Sequence, residues 1–435
     1  MTAPRDPVAG QVGTNRPWPK GLAAFGHRNF RVFWTGQLVS LVGTWMQTVA
    51  LGWLVLELTN DPLALGIVAA CQFVPTMLFG LFGGIIADVL PKRRTLLFLQ
   101  AGAAGQALVL ALLIATGAIQ VWHVYALSVV LGLIFAVEMP VRQSFVVEIV
   151  GREDVANAVA LNSAAFNGSR IIGPAIAGVL IGTVGLAAAF FLNSISYLAV
   201  MAGLLLMNME SLVTVGRAKM QRSVRGVGGQ LAEGLRYVRD TPVVLLAIGV
   251  LGVVATVGLN FQVVIPVYAR DVLRGDAATF GFLMAASGIG SLVSAISIAF
   301  GQRPTLRLLV VGAAVIGVAL MLLSTTQWFL AAMLLMGLLG WGVIAMAATA
   351  NTLIQLAVPD ELRGRVMSVY TTVFAGSTPI GGLFAGTIAA LAGVTVALLV
   401  GGALALLTAG VAWLRLPRMR VAELRAPVRP EAQGG

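Results

Sequence analysis

The sequence predicts an all-α membrane protein of twelve transmembrane helices arranged as two parallel six-helix halves. Three observations predict it. The 435 residues are 58% hydrophobic and only 10% charged, with a mean hydropathy of +0.94. Apolar runs of roughly 20 residues, the length one crossing needs, follow one another from Arg31 to Arg415. The second half of the chain also repeats the first.

Composition sets the class. Soluble domains carry about 25% charged residues. A chain this apolar has too little polar surface for water but suits a lipid surround. The spans read as 31–58, 62–87, 95–117, 121–140, 157–183 and 187–208 in a first half (31–208), and as 242–268, 277–300, 305–324, 327–350, 366–392 and 395–415 in a second (241–415). A polar cytoplasmic linker, 209–240, joins them. Residues 1–30 contain Pro7, Pro17 and Pro19 and no apolar core, which reads as a cytoplasmic tail and not a cleavable signal. Residues 416–435 read as a second tail.

Charge placement gives the orientation. With the N-terminus inside, 25 of the 28 Lys and Arg residues fall on the cytoplasmic side. Only Arg270 and Arg274 fall outside, and Arg170 lies within a span. The positive-inside rule then puts both termini in the cytoplasm of a cell (inner) membrane protein. The net charge of +11 is spread over short loops, so nucleic acid is not an expected partner. Cys71 stands alone in an apolar run, and His27 and His123 lie far apart. No disulfide, metal site or cofactor is expected. The absence of a Gly-x-x-x-x-Gly-Lys-Ser/Thr loop argues against an ATP-driven pump, and no His/Cys/Asp constellation suggests an enzyme.

The repeat is direct. Glu153–Gly178 aligns with Glu361–Gly386 without gaps, at an offset of 208. Phe166 meets Phe374, Gly168 meets Gly376, Ser169 meets Ser377, Gly173 meets Gly381 and Gly178 meets Gly386. Near the start of each half, Gly66 and Gly281 match at an offset of 215, as do Gln47 and Gln262. Halves of like orientation imply a two-fold axis along the membrane normal. One large group of transporters is built this way, with cargo bound at the midplane between the halves.

The loop between the second and third spans reads Gly84-Ile-Ile-Ala-Asp88-Val-Leu-Pro-Lys92-Arg93-Arg94. It resembles the signature loop of the major facilitator superfamily, with Pro91 in place of the second glycine and Val89 after the acid. Asp88 at a helix end can accept bonds from the N-terminus of the eleventh helix, whose dipole favours an anion. That contact would lock the inner side. Alternatively Asp88 and Lys92–Arg94 only orient the loop. Gly173-Pro174-Ala-Ile-Ala-Gly178 is similar to a motif of superfamily antiporters, with Ala177 replacing one glycine. It suits a kinked, closely packed helix that could seal against the eleventh, or simple packing. The segments Phe30–Ser40, Thr59–Gly66 and Ala156–Pro174 resemble the branch containing the enterobactin exporter and macrolide efflux proteins. That resemblance implies export of amphipathic small molecules, of drug or siderophore type, by alternating access with proton antiport. The implied partners are cargo, protons and membrane lipids, with the monomer as the working unit. A lipid or lysolipid flippase on the same fold, or a receptor without transport, are the alternatives.

Charges within spans point to sites. Arg170, midway along the fifth span beside Asn167, suits an anionic or carbonyl-bearing cargo, or fixes packing. Glu138 lies four residues before Arg142, on one helical face. It carries the coupling proton or forms a static pair. The arginine that many drug exporters place inside the fourth helix is missing. Glu57 is interfacial or an outer proton site. Gln37, Ser40, Thr44 and Gln47 form one helical stripe, which should face water or another helix. Asn260 and Thr256, Thr371 and Thr378, and Ser287, Ser291 and Ser294 offer further polar faces. Trp45, Phe73, Phe166, Phe261 and Phe374 line a cavity or pack the core.

Overall fold

A computed structural model of the chain describes residues 18–212, 224–301 and 304–425. Its helices are α1 (Arg28–Thr59), α2 (Pro62–Val89), α3 (Lys92–Ala115), α4 (Val121–Thr183), α5 (Leu186–Leu205), α6 (Val224–Asp240), α7 (Pro242–Gly258), α8 (Phe261–Asp271), α9 (Ala277–Phe300), α10 (Leu306–Thr325), α11 (Phe329–Ala357), α12 (Asp360–Ala392) and α13 (Val394–Arg425). Among the described residues, eleven stretches are long and apolar enough to cross a bilayer. One of them, α4, has 63 residues. At 1.5 Å per residue it would be about 95 Å long, roughly three bilayer cores. It turns back at Gly151, whose φ of 75° and ψ of 175° suit a residue without Cβ. The arms on either side of Gly151 are two crossings, which brings the total to twelve.

Three boundaries differ from the sequence reading. Helix runs through 140–157 up to and beyond the Gly151 elbow, where a loop was expected. The single span expected at 242–268 is two helices, because the backbone leaves helical geometry at Leu259 and Asn260. Within the expected linker, 224–240 forms α6, which packs on the base of α12. There Glu233 pairs with Arg365, and the Tyr237 hydroxyl donates to Ala357 O at 3.2 Å. The tails are partly helical too: a short 3-10 segment spans Lys20–Gly26 and α13 runs to Arg425.

The start of α1 and the Gly151 elbow share one face of the molecule. Ala24 N donates to Asn157 Oδ1 at 2.9 Å, and His27 Nε2 meets Asp154 Oδ2 at 2.9 Å. This face also carries Lys92–Arg94 and is called the basic face. The turns at Asn60, Gly185, Asp276 and Gly393 lie on the far face.

Packing reproduces the repeat at the points where backbones touch. A methyl group on Gly66 would lie 2.5 Å from Gly382 O, and one on Gly281 would strike Pro174 O. These are the same contact, displaced by the two offsets. Gly173 rests on Val42 O and Trp45 of α1, as Gly381 rests on Thr256 O and Asn260. Asp61 caps α2 by accepting from Leu63 N, and Asp276 caps α9 by accepting from Thr279 N. Gly185 (φ 107°) and Gly393 (φ 89°) open α5 and α13. Thus each half folds by one plan: small residues where backbones touch, an aspartate cap where a span begins, and a left-handed glycine at the tightest turn.

Candidate cargo cavity between the halves

The halves meet in two crossings related by the two-fold, α2 with α12 and α4 with α9. Near the far face the contacts are tight. Gly386 faces Pro62 O and Leu63, and Gly178 faces Ala277 O and Ala278. Here the sequence reading needs correction: Gly178 and Pro174 seal against α9, the eighth crossing, and not against the eleventh. The two-fold pairs elements crosswise, so the second crossing takes the eleventh and the fifth takes the eighth. The contacts continue down to Gly288 against Arg170 O and Gly376 against Met77 Sδ, the latter 3.7 Å from a Cβ built on the glycine.

Toward the basic face the helices part. Gly80, Gly168 and Gly364 have open space where a side chain would go. Phe79, Phe82 and Ile85 of α2 are exposed. Phe166 (46% exposed) and its repeat partner Phe374 (38%) stand one on each half. Contact between the halves is thus close near the far face, and these groups are uncovered toward the basic one.

The cavity wall in the first half is aromatic and cationic. Trp45 is held by Gly173, and the edge of Phe166 meets its ring at 5.6 Å. The Arg170 guanidinium carbon lies 5.8 Å from the Trp45 ring centre, within range of a cation–π attraction. Arg170 Nε is buried with no acceptor. Asn167, half-buried beside it, donates to Ser163 O at 2.8 Å. In the second half Phe374 stacks on Tyr370 at 6.3 Å, and the exposed Thr371 donates to Met367 O. Asn260 is buried and donates to Thr256 O at 2.7 Å across the break between α7 and α8.

The polar stripe of α1 faces its own half. Gln47 is 3% exposed. Its Nε2 donates to Gln106 Oε1 at 3.1 Å, and its Oε1 accepts from Asn193 Nδ2 at 2.7 Å. Thr44 lies 3.4 Å from the Tyr197 hydroxyl, and Gln37 is buried with Oε1 unpartnered. Thr44 and Gln47 also border a small, mainly apolar chamber with Leu51, Leu65, Val68 and Gln262 of the second half. Ser287, Ser291 and Ser294 of α9 are buried as well, and Ser291 donates to Gly340 O of α11 at 3.1 Å. That stripe turns to a neighbouring helix and away from the cavity.

Glu138 is 4% exposed. It accepts from Gln100 Nε2 of α3 at 3.1 Å and from Arg142 at 3.2 Å. Sequence reading missed Gln100, since nothing in its spacing indicates which neighbour it meets. Glu57 is exposed near the far face and accepts from Trp53 Nε1 at 2.7 Å. In the signature loop, Lys92 pairs with Glu148, and Arg93 donates to Leu204 O (2.6 Å) and Leu205 O (2.9 Å), the last carbonyls of α5. Arg94 is exposed and Gly84 half-buried. The side chain of Asp88 lies outside the described residues, as do Gln302 and Arg303 of the equivalent loop. The first turn of α12 already carries Asp360 and Glu361, and Asp360 pairs with Arg363.

Comparison with known proteins agrees with this architecture. The family model described as transmembrane secretion effector matches residues 20–432. The multidrug efflux pump Tap of Mycolicibacterium fortuitum is 30% identical over 400 residues, covering 89% of this chain and 95% of that protein. The enterobactin exporter EntS of Shigella boydii serotype 18 is 24% identical over 385 residues, covering 84% and 86%. Among solved structures, a POT family transporter in complex with 5-aminolevulinic acid superimposes with a TM-score of 0.73 at 14% identity, covering 91% of this chain and 97% of that one. A bacterial homologue of the human lysosomal transporter Spinster, in an inward-facing and unoccupied conformation, gives 0.65 at 12% identity, covering 92% and 98%.

Proposed function

The chain belongs to the transmembrane secretion effector family of the major facilitator superfamily, and on that premise we propose that it exports amphipathic small molecules from the cytoplasm by alternating access coupled to proton entry. One observation supports the reading: the halves touch backbone to backbone near the far face, whereas Gly80, Gly168, Phe82, Phe166 and Phe374 toward the basic face are uncovered, which we read as a cavity open there. The positive-inside rule makes that face cytoplasmic, with both termini there. Cargo then enters between α4 and α12, meeting Arg170, Asn167, Phe166, Thr371 and Phe374. Gln37, Thr44, Gln47 and Asn260 support that wall from behind.

Glu138 is the proton carrier in this scheme. It is a membrane-embedded carboxylate with a cation beside it, the arrangement proton relays use. Glu57 would load protons from outside. In the opposite state the basic face shuts, and Asp88 meets the first turn of α12, where it would compete with Asp360 for Arg363. The units that rock are 31–208 and 241–415, hinged by 209–240, in a monomer within the inner membrane.

The test is a panel of drugs and siderophores in cells lacking their own efflux pumps, followed by proteoliposomes carrying an imposed pH gradient. Expression should lower accumulation of at least one compound, and collapsing the gradient should stop transport. No change for any compound would refute export. Transport indifferent to the gradient would refute proton coupling. Movement of lipid in place of drugs would favour a flippase.

A further inference from the structure

We propose that the cavity is built for an amphipathic organic anion with a flat aromatic body, its negative group held by Arg170 and its ring by Trp45, Phe166 and Phe374. This rests on the exporter reading and narrows it to a substrate class that excludes cations.

The second half has no Asp, Glu, Lys, Arg or His in 242–269, 277–300, 308–359 or 366–414. In the first half, α1 has none between Arg31 and Glu57, α2 none between Asp61 and Asp88, and α5 none at all. Between the two faces there remain Glu138, Arg142 and Arg170. Glu138 points to α3, bonded to Gln100 and Arg142. Helix α3 packs on α4 and α5 of its own half, so this acid is turned away from the second half. Among the described residues Arg170 is therefore the one charged group at mid-depth beside the meeting point of the halves, where Gly288 of α9 touches its backbone.

Arg170 also lacks compensation. No carboxylate lies within ion-pair distance among the described residues, and its Nε has no acceptor. A charge in such a place is costly unless paired. The Trp45 face, 5.8 Å from the guanidinium carbon, offsets part of that cost. A planar fork of donors matches a carboxylate, sulfonate or catecholate in two parallel bonds, as an ammonium could not. The body of the ligand then lies against the two phenylalanines that the repeat sets on opposite walls. A cationic drug would meet a like charge and no acid to replace it.

The repeat shows that this is a property of one half. The residue equivalent to Arg170 is Thr378, and the residue equivalent to Trp45 is Asn260, by the offsets of 208 and 215. The second half offers an aromatic wall and hydroxyls, with no second anchor for charge.

Binding to the purified full chain in nanodiscs tests this with three probes of one shape: naphthoate, naphthalenemethanol and naphthylmethylammonium. The anion should bind at least about tenfold tighter than the alcohol, and the ammonium weaker than both. Arg170→Gln should bring naphthoate down to the level of the alcohol while leaving the alcohol unchanged. Arg170→Lys should keep part of the preference, and Arg236→Gln, on the exposed surface of α6, all of it. Ammonium binding as tight as naphthoate overturns the proposal, as does an anion preference that survives Arg170→Gln, or no binding of any probe. A charge preference without export in the cell panel would leave this inference standing and remove the exporter reading.

Discussion

The two halves share a backbone plan and differ in what they bury. The first half holds Glu138 and Arg170, and joins Gln47, Gln106 and Asn193 in a buried chain of amides. The second buries Asn260 and small hydroxyls such as Ser287, Ser291, Ser294 and Thr349. Contacts that set helix distance are duplicated, and side chains that could carry charge are not. In a rocking mechanism this is a division of labour. Both halves must fit each other equally well, but one alone can hold the proton and the cargo's charge.

The largest expected effects break the shared plan. Gly66→Leu and Gly281→Leu each drive a side chain into a carbonyl of the opposite half. Both should abolish transport and lower stability by about 2 kcal/mol or more, read as thermal unfolding of the purified protein. Near-equal losses would support the two-fold, and a loss at only one position would count against it.

The next comparison isolates the first half's chemistry. Glu138→Gln should cut proton-driven efflux at least about tenfold while leaving cargo binding in place, measured as uptake into vesicles against equilibrium binding. Glu57→Gln, at the exposed end of α1, should have a smaller effect. A variant of Glu138 that still exports at the normal rate would move proton coupling elsewhere.

Stability then separates buried from half-buried equivalents. Gln47→Leu strips two buried amide bonds and should cost about 1–3 kcal/mol. Its repeat partner Gln262 is only half-buried, and the same change there should cost less than about 1 kcal/mol. Smallest are the caps. Asp61→Ala and Asp276→Ala should each cost about 1 kcal/mol. Hydrogen bonds from Thr279 hold the Asp276 carboxyl below the usual carboxylate range. Its contribution is therefore present above the unfolded pKa and lost only as pH falls through the lower folded one. Variation of transport near neutral pH should survive Asp276→Asn, which a pH profile of efflux would check.

Fold legibility followed from periodicity and repetition. Twelve apolar runs and the Glu153–Gly178 repeat were visible because lipid demands them of every crossing. Breaks at Gly151 and Leu259–Asn260 were not, since a single glycine or asparagine in an apolar run can be packed or bent, and tertiary contacts decide. Arg170 was legible, because a lone charge in a span has few uses. Spacing also marked the α1 stripe, but it could not say that Gln47 turns toward Gln106 and Asn193 and not to cargo. The partner of Gly178 was misread for the same reason: sequence equivalence names matching helices, and the two-fold axis decides which of them touch.

Spin labels measured by double electron–electron resonance, in a Cys71→Ser background, test the central claim of alternating closure most directly. One pair at Phe82 and Ser368 spans the basic face, and another at Asp61 and Thr395 spans the far face. On addition of cargo or on acidification, the account predicts that the first distance shortens as the second lengthens. Two distances that stay fixed, or that change in the same direction, would contradict it.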